Sequence, residues 1–116
     1  MSDAVEEFES IQSWRKGLAE QWGGDPLAEE PEKLDDIKAF CEFIDKSPDE
    51  LVAFCFLRKR ATGEKFASAK RREAVAEQLR AYREANGLTG MNGRRFSADV
   101  LSFLVHNGVM IHMGMV

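Results

Sequence analysis

The side chains that most often carry out catalysis are few in this chain, and their spacing does not assemble a reactive set. Cys41 and Cys55 each lie in an apolar run, which is typical of small buried hydrophobic residues. His106 and His112 are six residues apart and have no partners at the spacing of a metal site. The sequence therefore predicts no metal ion and no cofactor.

The sequence also lacks the signals of a catalytic nucleophile and of a phosphate-binding loop. Tyr82 is the only tyrosine, and the helical periodicity around it places it on an inward face, where it would not act as a nucleophile. Gly87, Gly90 and Gly93 resemble a phosphate loop only in glycine count, because the strand and the lysine of such a loop are absent. We therefore expect this chain by itself not to be an enzyme and to have no small-molecule substrate.

Basic side chains are the residues whose number and spacing do indicate a chemistry, the neutralisation of phosphate groups. Residues 57–95 carry eleven basic and four acidic side chains, whereas residues 1–50 carry fifteen acidic and five basic ones. The formal net charge of −4 therefore hides a basic half, which is typical of proteins that contact nucleic acid. The alternative is a solvated helical face on which Glu73 and Glu77 pair with basic neighbours.

Five predicted helices would position these side chains within one domain of 116 residues. Apolar residues recur at steps of three and four, and no stretch alternates with period two, so we expect no sheet. The helices are predicted from Ser2 or Asp3 to Trp22, Glu32 to Asp45, Ser47 to Arg60, Ser68 to Ala85, and Thr89–Asn92 to His106. The predicted fold class is all-α, a compact bundle of four to five short helices.

The third helix has the strongest start signal. Ser47 supplies a cap oxygen, Pro48 loses no needed N–H, and Asp49 and Glu50 meet the positive end of the helix dipole. The following run LVAFCFL is apolar nearly all round, which predicts a central position. The predicted shared core is Phe40, Phe43, Ile44, Phe54, Leu57, Val75, Leu79, Phe96, Val100 and Phe103.

Residues 1–31 form a predicted acidic N-terminal helix and linker with an apolar stripe. The stripe consists of Val5, Phe8, Ile11, Trp14, Leu18 and Trp22. It packs either on the core of the same chain or on a neighbouring protomer; we favour the first, because exposed tryptophans promote aggregation. The acidic start is not a secretory leader, and no apolar run approaches the length of about 20 residues that spans a membrane. We expect a soluble cytoplasmic protein with no membrane partner.

Residues 32–109 contain three stretches whose order resembles a known family: LDDIKAFCEFIDKSPDEL, then a basic helix, then LTGMNGRRFSADVLSFLVHNGV. They are similar to the N-terminal core-binding domain of tyrosine recombinases, the phage and archaeal integrases. The matching positions are Leu34, Phe40, Phe43, Lys46, Ser47, Pro48, Glu50, Leu51, Leu88, Val100, Ser102, Phe103, Asn107, Gly108 and Val109. The chain departs from the family at Leu101, where a basic residue is usual, and at Gly90-Met91.

The resemblance implies a SAM-like fold and a role as one half of a clamp around a recombination half-site. Double-stranded DNA and other protomers of a recombinase assembly would be the partners. Residues 110–116, with Met110, Met113 and Met115, would be a tail, a truncated connection to a catalytic domain missing from this chain. Basic residues on one face would neutralise phosphates, and a helix start would add neutral hydrogen bonds. The predicted DNA-binding residues are Lys65, Lys70, Arg71, Arg72, Thr89, Asn92, Arg94 and Arg95.

The alternative function is a helical protein–protein interaction module whose acidic first segment is the docking surface. This hypothesis explains residues 1–31 better than DNA binding does, because phosphates would repel so many carboxylates. Salt-dependent binding to DNA would distinguish the two hypotheses.

Overall fold

The computed structural model describes residues 7–112, which form six helices and one two-stranded sheet. The helices are α1 (Glu9–Trp22), α2 (Pro26–Glu29), α3 (Glu32–Ile44), α4 (Pro48–Phe54), α5 (Ala69–Ala85) and α6 (Gly90–Val105). The strands are β1 (Phe56–Arg58) and β2 (Lys65–Ala67). The fold is therefore mostly helical, as predicted, with a small sheet inserted between α4 and α5. No helix in this part of the chain is long and apolar enough to cross a membrane.

The predicted start of α4 is confirmed in atomic detail. The Ser47 hydroxyl accepts a hydrogen bond from the Glu50 backbone N–H at 3.1 Å, and the Glu50 carboxylate accepts one from the Ser47 N–H at 2.8 Å. This reciprocal pair satisfies two backbone donors that a helix start leaves free. Ser68 caps α5 in a similar way, because its hydroxyl accepts from the Arg71 N–H at 3.2 Å.

The sheet contradicts two predictions, an absence of strands and a third helix that reaches Arg60. The helix ends at Phe54, and the next residues pair antiparallel with residues 65–67, so that Phe56 lies opposite Ala67 and Arg58 opposite Lys65. Phe56 and Leu57 are bulky residues that favour strands, and the Cys55 carbonyl accepts a hydrogen bond from the Ser68 N–H at 2.8 Å. This pairing with a later segment overrides the helical pattern of the run.

The predicted core is confirmed at six of its ten positions. Those six are Phe40, Val75, Leu79, Phe96, Val100 and Phe103. Ile44 and Phe54 are half-buried at its edge. The prediction is wrong for Phe43 and Leu57, which are 44% and 38% exposed. Leu57 belongs to the hairpin, and Phe43 packs the edge of its ring on Tyr82, with ring centres 5.2 Å apart.

Helix α1 packs on the core of its own chain, which was the favoured of the two predictions for the acidic segment. Ile11, Trp14 and Leu18 are buried in the same cluster as Phe103. The prediction of a buried stripe is wrong for Trp22, which is 73% exposed. The predicted cap at Ser2 or Asp3 and the stripe position Val5 lie outside the described residues, and α1 itself begins at Glu9.

Four residues from α4, α6 and the turn after α6 hold α1 in place. The Trp14 indole N–H donates to the Ser102 hydroxyl at 3.0 Å, and the Trp14 ring meets Phe103 edge to face at 5.5 Å. The Ser10 backbone N–H donates to Asp49 at 2.9 Å, and the Asn107 amide donates to the Ser10 carbonyl at 3.1 Å. We call the residues Asp49, Ser102, Phe103 and Asn107 the α1 clasp.

The segment after α6 also packs on the core. Val109 and Ile111 are buried, and the Met110 carbonyl accepts a hydrogen bond from Arg72 at 2.9 Å. Residues 109–111 are therefore part of the globule. Met113 and Met115 of the predicted tail lie outside the described residues.

Candidate nucleic-acid interface

The β1–β2 hairpin brings together two basic runs that are separate in the sequence. Arg58 lies opposite Lys65 in the antiparallel register, and the Lys59 N–H donates to the Glu64 carbonyl at 2.9 Å, which extends the pairing. Every residue from Leu57 to Phe66 is exposed, so the hairpin stands out from the helical body. It presents four basic side chains and one acidic one to solvent.

Local contacts order the tip of this hairpin. The Arg58 guanidinium donates to the Gly63 carbonyl at 2.9 Å, and Lys59 lies 3.4 Å from the Glu64 carboxylate. Gly63 has φ of 73°, a left-handed conformation that glycine adopts without the penalty of a side chain. Arg60 has no ion-pair or hydrogen-bond partner among the described residues. Its guanidinium is therefore available to an anion from outside the chain.

The hairpin carries apolar side chains as well as cations. Leu57 and Phe66 face each other across the strands and are 38% and 39% exposed. Because side chains alternate along a strand, Phe56 and Lys65 lie on the opposite face, where the Lys65 ammonium is 4.5 Å from the centre of the Phe56 ring. The outer face of the hairpin is therefore apolar at Leu57 and Phe66, and Arg58 and Lys65 lie on the other face.

The start of α5 continues the basic surface, but its three predicted phosphate ligands differ in availability. Lys70 is exposed and has no partner among the described residues. Arg71 donates to the Phe54 carbonyl at 3.1 Å and covers the Phe54 ring. Arg72 donates to the Ser68 and Met110 carbonyls. Arg71 and Arg72 are thus half-buried residues that join the helix to its surroundings, and much of their donor capacity is used inside the protein.

The remaining predicted residues lie at the other end of α5, at the start of α6. Thr89 precedes the helix without a side-chain cap bond, Asn92 and Arg94 are exposed, and Arg95 lies 3.7 Å from the Asp36 carboxylate. The 17 residues of α5 separate this group from Lys70 by about 24 Å, at 1.5 Å per residue. The structure therefore does not bring the eight predicted residues into one patch.

Exposed acidic residues lie between the two groups. Glu73 and Glu77 fall on the same side of α5 as Lys70, because residues three or four apart are neighbours on a helix surface. We call the nearer group, Arg58, Lys59, Arg60, Lys65, Lys70, Arg71 and Arg72, the hairpin surface. Glu64 is the only acid between residues 57 and 72, so this surface has the highest positive charge density.

Sequence reasoning missed the central part of this surface, the residues Arg58, Lys59 and Arg60. A signal was present: Thr62-Gly63 lies midway between two short runs that each combine apolar and basic residues. Such a pattern is typical of a hairpin with a glycine in its loop. Thr62-Gly63 was instead interpreted as the end of a helix.

A second cluster of charged residues joins α3 to α6. The Lys33 ammonium lies 3.1 Å from Asp99, which is 4% exposed, and Arg95 approaches Asp36 from the other side. The Oδ2 atoms of Asp36 and Asp99 are buried without a donor when both groups are ionised. Burial and the hydrogen bond to Asp99 raise the pKa of Asp36 to about 7, so this carboxyl holds a proton in mildly acidic solution.

The described residues contain no group of three histidine, cysteine or carboxylate side chains that could hold a metal ion. Burial raises the pKa of the Cys41 thiol to about 12 and that of Cys55 to about 11, so both are poor nucleophiles at neutral pH. Burial also raises the pKa of Tyr82, whose ring stacks on Phe96 at 4.4 Å. These groups stabilise the core and offer no reactive atom to a substrate.

A cleft of about 610 Å³ lies between α1, α2 and α6, on residues other than those of the hairpin surface. Leu18, Pro26 and Val105 contribute apolar lining, and Glu29 and Glu30 are among its charged residues. The exposed Trp22 is part of the same lining. This arrangement is suited to an apolar or cationic group of a partner.

A scan against protein-family models finds no match, and searches of curated proteins and of solved structures find no significant similarity. Function is therefore inferred from the fold and from the geometry of these surfaces.

Proposed function

We propose that this chain is a DNA-binding module and that it contacts the phosphate backbone through the hairpin surface. The observation that carries this proposal is the pairing of β1 with β2, which places residues 58–60 beside Lys65 and the start of α5. Five exposed basic side chains, the half-buried Arg71 and Arg72, and one acid then lie on the hairpin surface. Such a density of positive charge attracts DNA by releasing its condensed counterions.

The similarity of residues 32–109 to the core-binding domains of tyrosine recombinases supports the same class of function. We propose that the chain acts as such a domain, gripping one side of a duplex while a catalytic domain, absent from this sequence, completes the clamp. Phosphate contacts of this kind set position rather than sequence preference. The affinity of the isolated module is therefore expected in the non-specific range, on the order of 10⁻⁴–10⁻⁶ M at physiological salt.

A fluorescence anisotropy titration with a 20-base-pair duplex at several salt concentrations tests the proposal. The double variant Arg60→Ala, Lys70→Ala removes two unpaired cations of the hairpin surface. Each lost phosphate contact should lower the slope of log K against log salt by about 0.9, so the double variant should lower it by about 2. The matched control is Lys16→Ala, Lys38→Ala, which removes the same charge from α1 and α3 and should leave the slope unchanged.

The variant Arg94→Ala, Arg95→Ala tests the group at the start of α6. If it weakens binding as well, one duplex contacts both ends of α5, a span of about 24 Å that fits within one helical turn of B-DNA. If the Arg60→Ala, Lys70→Ala variant and the Lys16→Ala, Lys38→Ala control have the same salt dependence of binding, the basic residues form only a solvated surface. The DNA-binding proposal is then wrong.

We also propose that the chain alone neither cleaves nor joins DNA. Tyr82 is the only tyrosine of the sequence, and its half-buried ring packs against Phe43 and Phe96. Incubation of purified protein with supercoiled plasmid should give no nicked product. Nicking that disappears in Tyr82→Phe would contradict this proposal.

The second candidate function is a protein–protein interaction module. It is favoured by one observation, the 73% exposure of Trp22 beside Glu29 and Glu30 at the α1–α2 cleft. An amide titration with duplex DNA at low salt distinguishes the two candidates. Shifts confined to residues 57–72 support DNA binding, whereas no shift within residues 57–95 leaves the interaction module as the better description.

A further inference from the structure

The outer face of the hairpin carries an apolar pair that no core contact explains. Leu57 and Phe66 lie directly opposite each other and are more than a third exposed, although large apolar side chains usually lie inside. Lys59 and Glu64 continue the same face, since they follow in the same register. Arg60, at the tip, has no partner among the described residues. The Lys59–Glu64 ion pair and Arg60 therefore border an exposed apolar centre.

This combination has a physical complement in the major groove of B-DNA. The groove is about 12 Å wide, admits a two-stranded β-ribbon, and presents the thymine methyl groups among its base edges. Its walls are phosphates, which attract Arg60 and the other exposed basic side chains near the apolar pair. A membrane surface or a protein groove would not offer apolar groups between two parallel rows of anions at this spacing.

We propose that the β1–β2 hairpin enters the major groove with Leu57 and Phe66 against base edges, where they contact thymine methyl groups. Arg60 and Lys70 then meet phosphates on the groove walls, whereas Arg58 lies on the opposite face of the ribbon. This inference rests on the proposed DNA binding, and it adds a preference for A·T base pairs. The hairpin surface thereby gains some sequence readout besides charge neutralisation.

The test changes the DNA rather than the protein, so that folding of a variant is not an issue. Two A·T-rich duplexes of equal length are compared, one with thymine and one with deoxyuridine, which lacks only the 5-methyl group. The wild-type chain should bind the thymine duplex more tightly by about fourfold for each methyl group contacted, the effect of one buried methylene. The salt dependence should be the same for both duplexes.

Variants then assign the effect to the hairpin. Phe66→Ala and Leu57→Ala should each reduce the difference in affinity between the thymine and uracil duplexes. Arg60→Ala should lower the affinity for both duplexes equally. Met91→Ala is the matched control, because it truncates another exposed apolar side chain at the start of α6 and should leave the preference intact.

The outcomes separate this inference from the proposal on which it rests. Equal, salt-dependent binding to both duplexes overturns the major-groove inference and leaves DNA binding standing. Binding to neither duplex overturns both. Equal affinity for a double-stranded RNA also overturns the inference, because the major groove of A-form RNA is too narrow for side chains to read.

Discussion

The α1 clasp and the hairpin surface are built in opposite ways. In the clasp, residues 39 to 97 positions apart in the chain meet through buried rings and short hydrogen bonds, such as that from Trp14 to Ser102. In the hairpin, neighbouring residues pair with one another and leave their side chains exposed. The clasp satisfies its polar groups internally, whereas Arg60 and Lys70 have no partner within residues 7–112.

The predicted resemblance to recombinase domains, which no comparison with known proteins supports, depends on positions of the first kind. Ser102, Phe103 and Asn107, three of the matching positions, hold α1 in place, and the matching Ser47 and Glu50 cap α4. These roles are architectural. The hairpin that carries the proposed DNA contacts lies between residues 51 and 88, where no position was matched, so the proposed contacts depend on its charge and geometry alone.

The largest expected effect comes from removing α1. Deleting residues 1–24 exposes the core surface that Ile11, Trp14 and Leu18 cover, and it removes the partners of Ser102 and Asn107. We expect loss of cooperative thermal unfolding, followed by circular dichroism. A truncated chain that still unfolds in one sharp transition would show that the clasp is dispensable.

The next largest effect is a difference in the free energy of unfolding between one substitution in the core and one in the hairpin. Phe103→Ala removes a fully buried ring and should lower the free energy of unfolding by about 3–5 kcal/mol, whereas Leu57→Ala, on the exposed hairpin, should lower it by less than about 1 kcal/mol. Urea denaturation of both variants measures the contrast. Similar losses at the two positions would mean that the hairpin is as important to stability as the core.

The pH dependence of stability should come from the core and not from the hairpin, because the hairpin has no buried carboxylate. The pKa of Asp36 is raised from 3.8 to about 7 in the folded protein, so the folded state binds the extra proton between these values. Stability is therefore highest at the acidic end of this window and falls as pH rises towards 7. The groups that face Asp36 are Asp99, Asp35 and Arg95.

Asp36→Asn keeps a donor towards Asp99 without a titrating proton. The variant should lose the slope of stability between pH 4 and 7 and should exceed the wild type at pH 8 by at most about 4 kcal/mol, since the shift is about three pKa units of about 1.4 kcal/mol each. Urea denaturation at four pH values measures it. Identical slopes in both proteins would exclude Asp36 as the titrating group.

The smallest expected effect concerns one hydrogen bond of the clasp. Trp14→Phe, Ser102→Ala and the double variant form a thermodynamic cycle that isolates the bond from the loss of ring volume. The coupling free energy should be about 1 kcal/mol, the usual net contribution of such a bond. A coupling near zero would assign the hold on α1 to packing against Phe103 and to the hydrogen bonds of Ser10 with Asp49 and Asn107.

Local signals made most of the fold predictable. The Ser47–Glu50 cap and the apolar stripe of α1 through Leu18 depend on residues within one helix, and the structure confirms them. The hairpin was not predictable in this way, because Phe56–Arg58 becomes a strand only through its partner Lys65–Ala67. Trp22 is exposed because it is the last residue of α1, just before Gly23. It lies beyond the helices that cover Trp14 and Leu18.

The candidate site was predictable in composition but not in arrangement. Lys65 and Lys70 lie on the hairpin surface, as a basic patch requires, and the charge count alone identified them. The half-buried positions of Arg71 and Arg72 depend on hydrogen bonds to the carbonyl groups of Phe54 and Met110. These partners are distant in the sequence, so the contacts could not be predicted from it. The separation of Arg94 and Arg95 from that surface follows from the straight run of α5.

The clasp also sets an order of events when the chain is made. Trp14 is made before its partners Ser102 and Phe103, which are added about ninety residues later. At about 5–20 residues per second, α1 therefore waits several seconds or longer for the surface that buries it. During that interval its tryptophan and its apolar neighbours are accessible to chaperones and to other nascent chains. The hairpin, whose strands follow one another closely, can form while the rest of the protein is still incomplete.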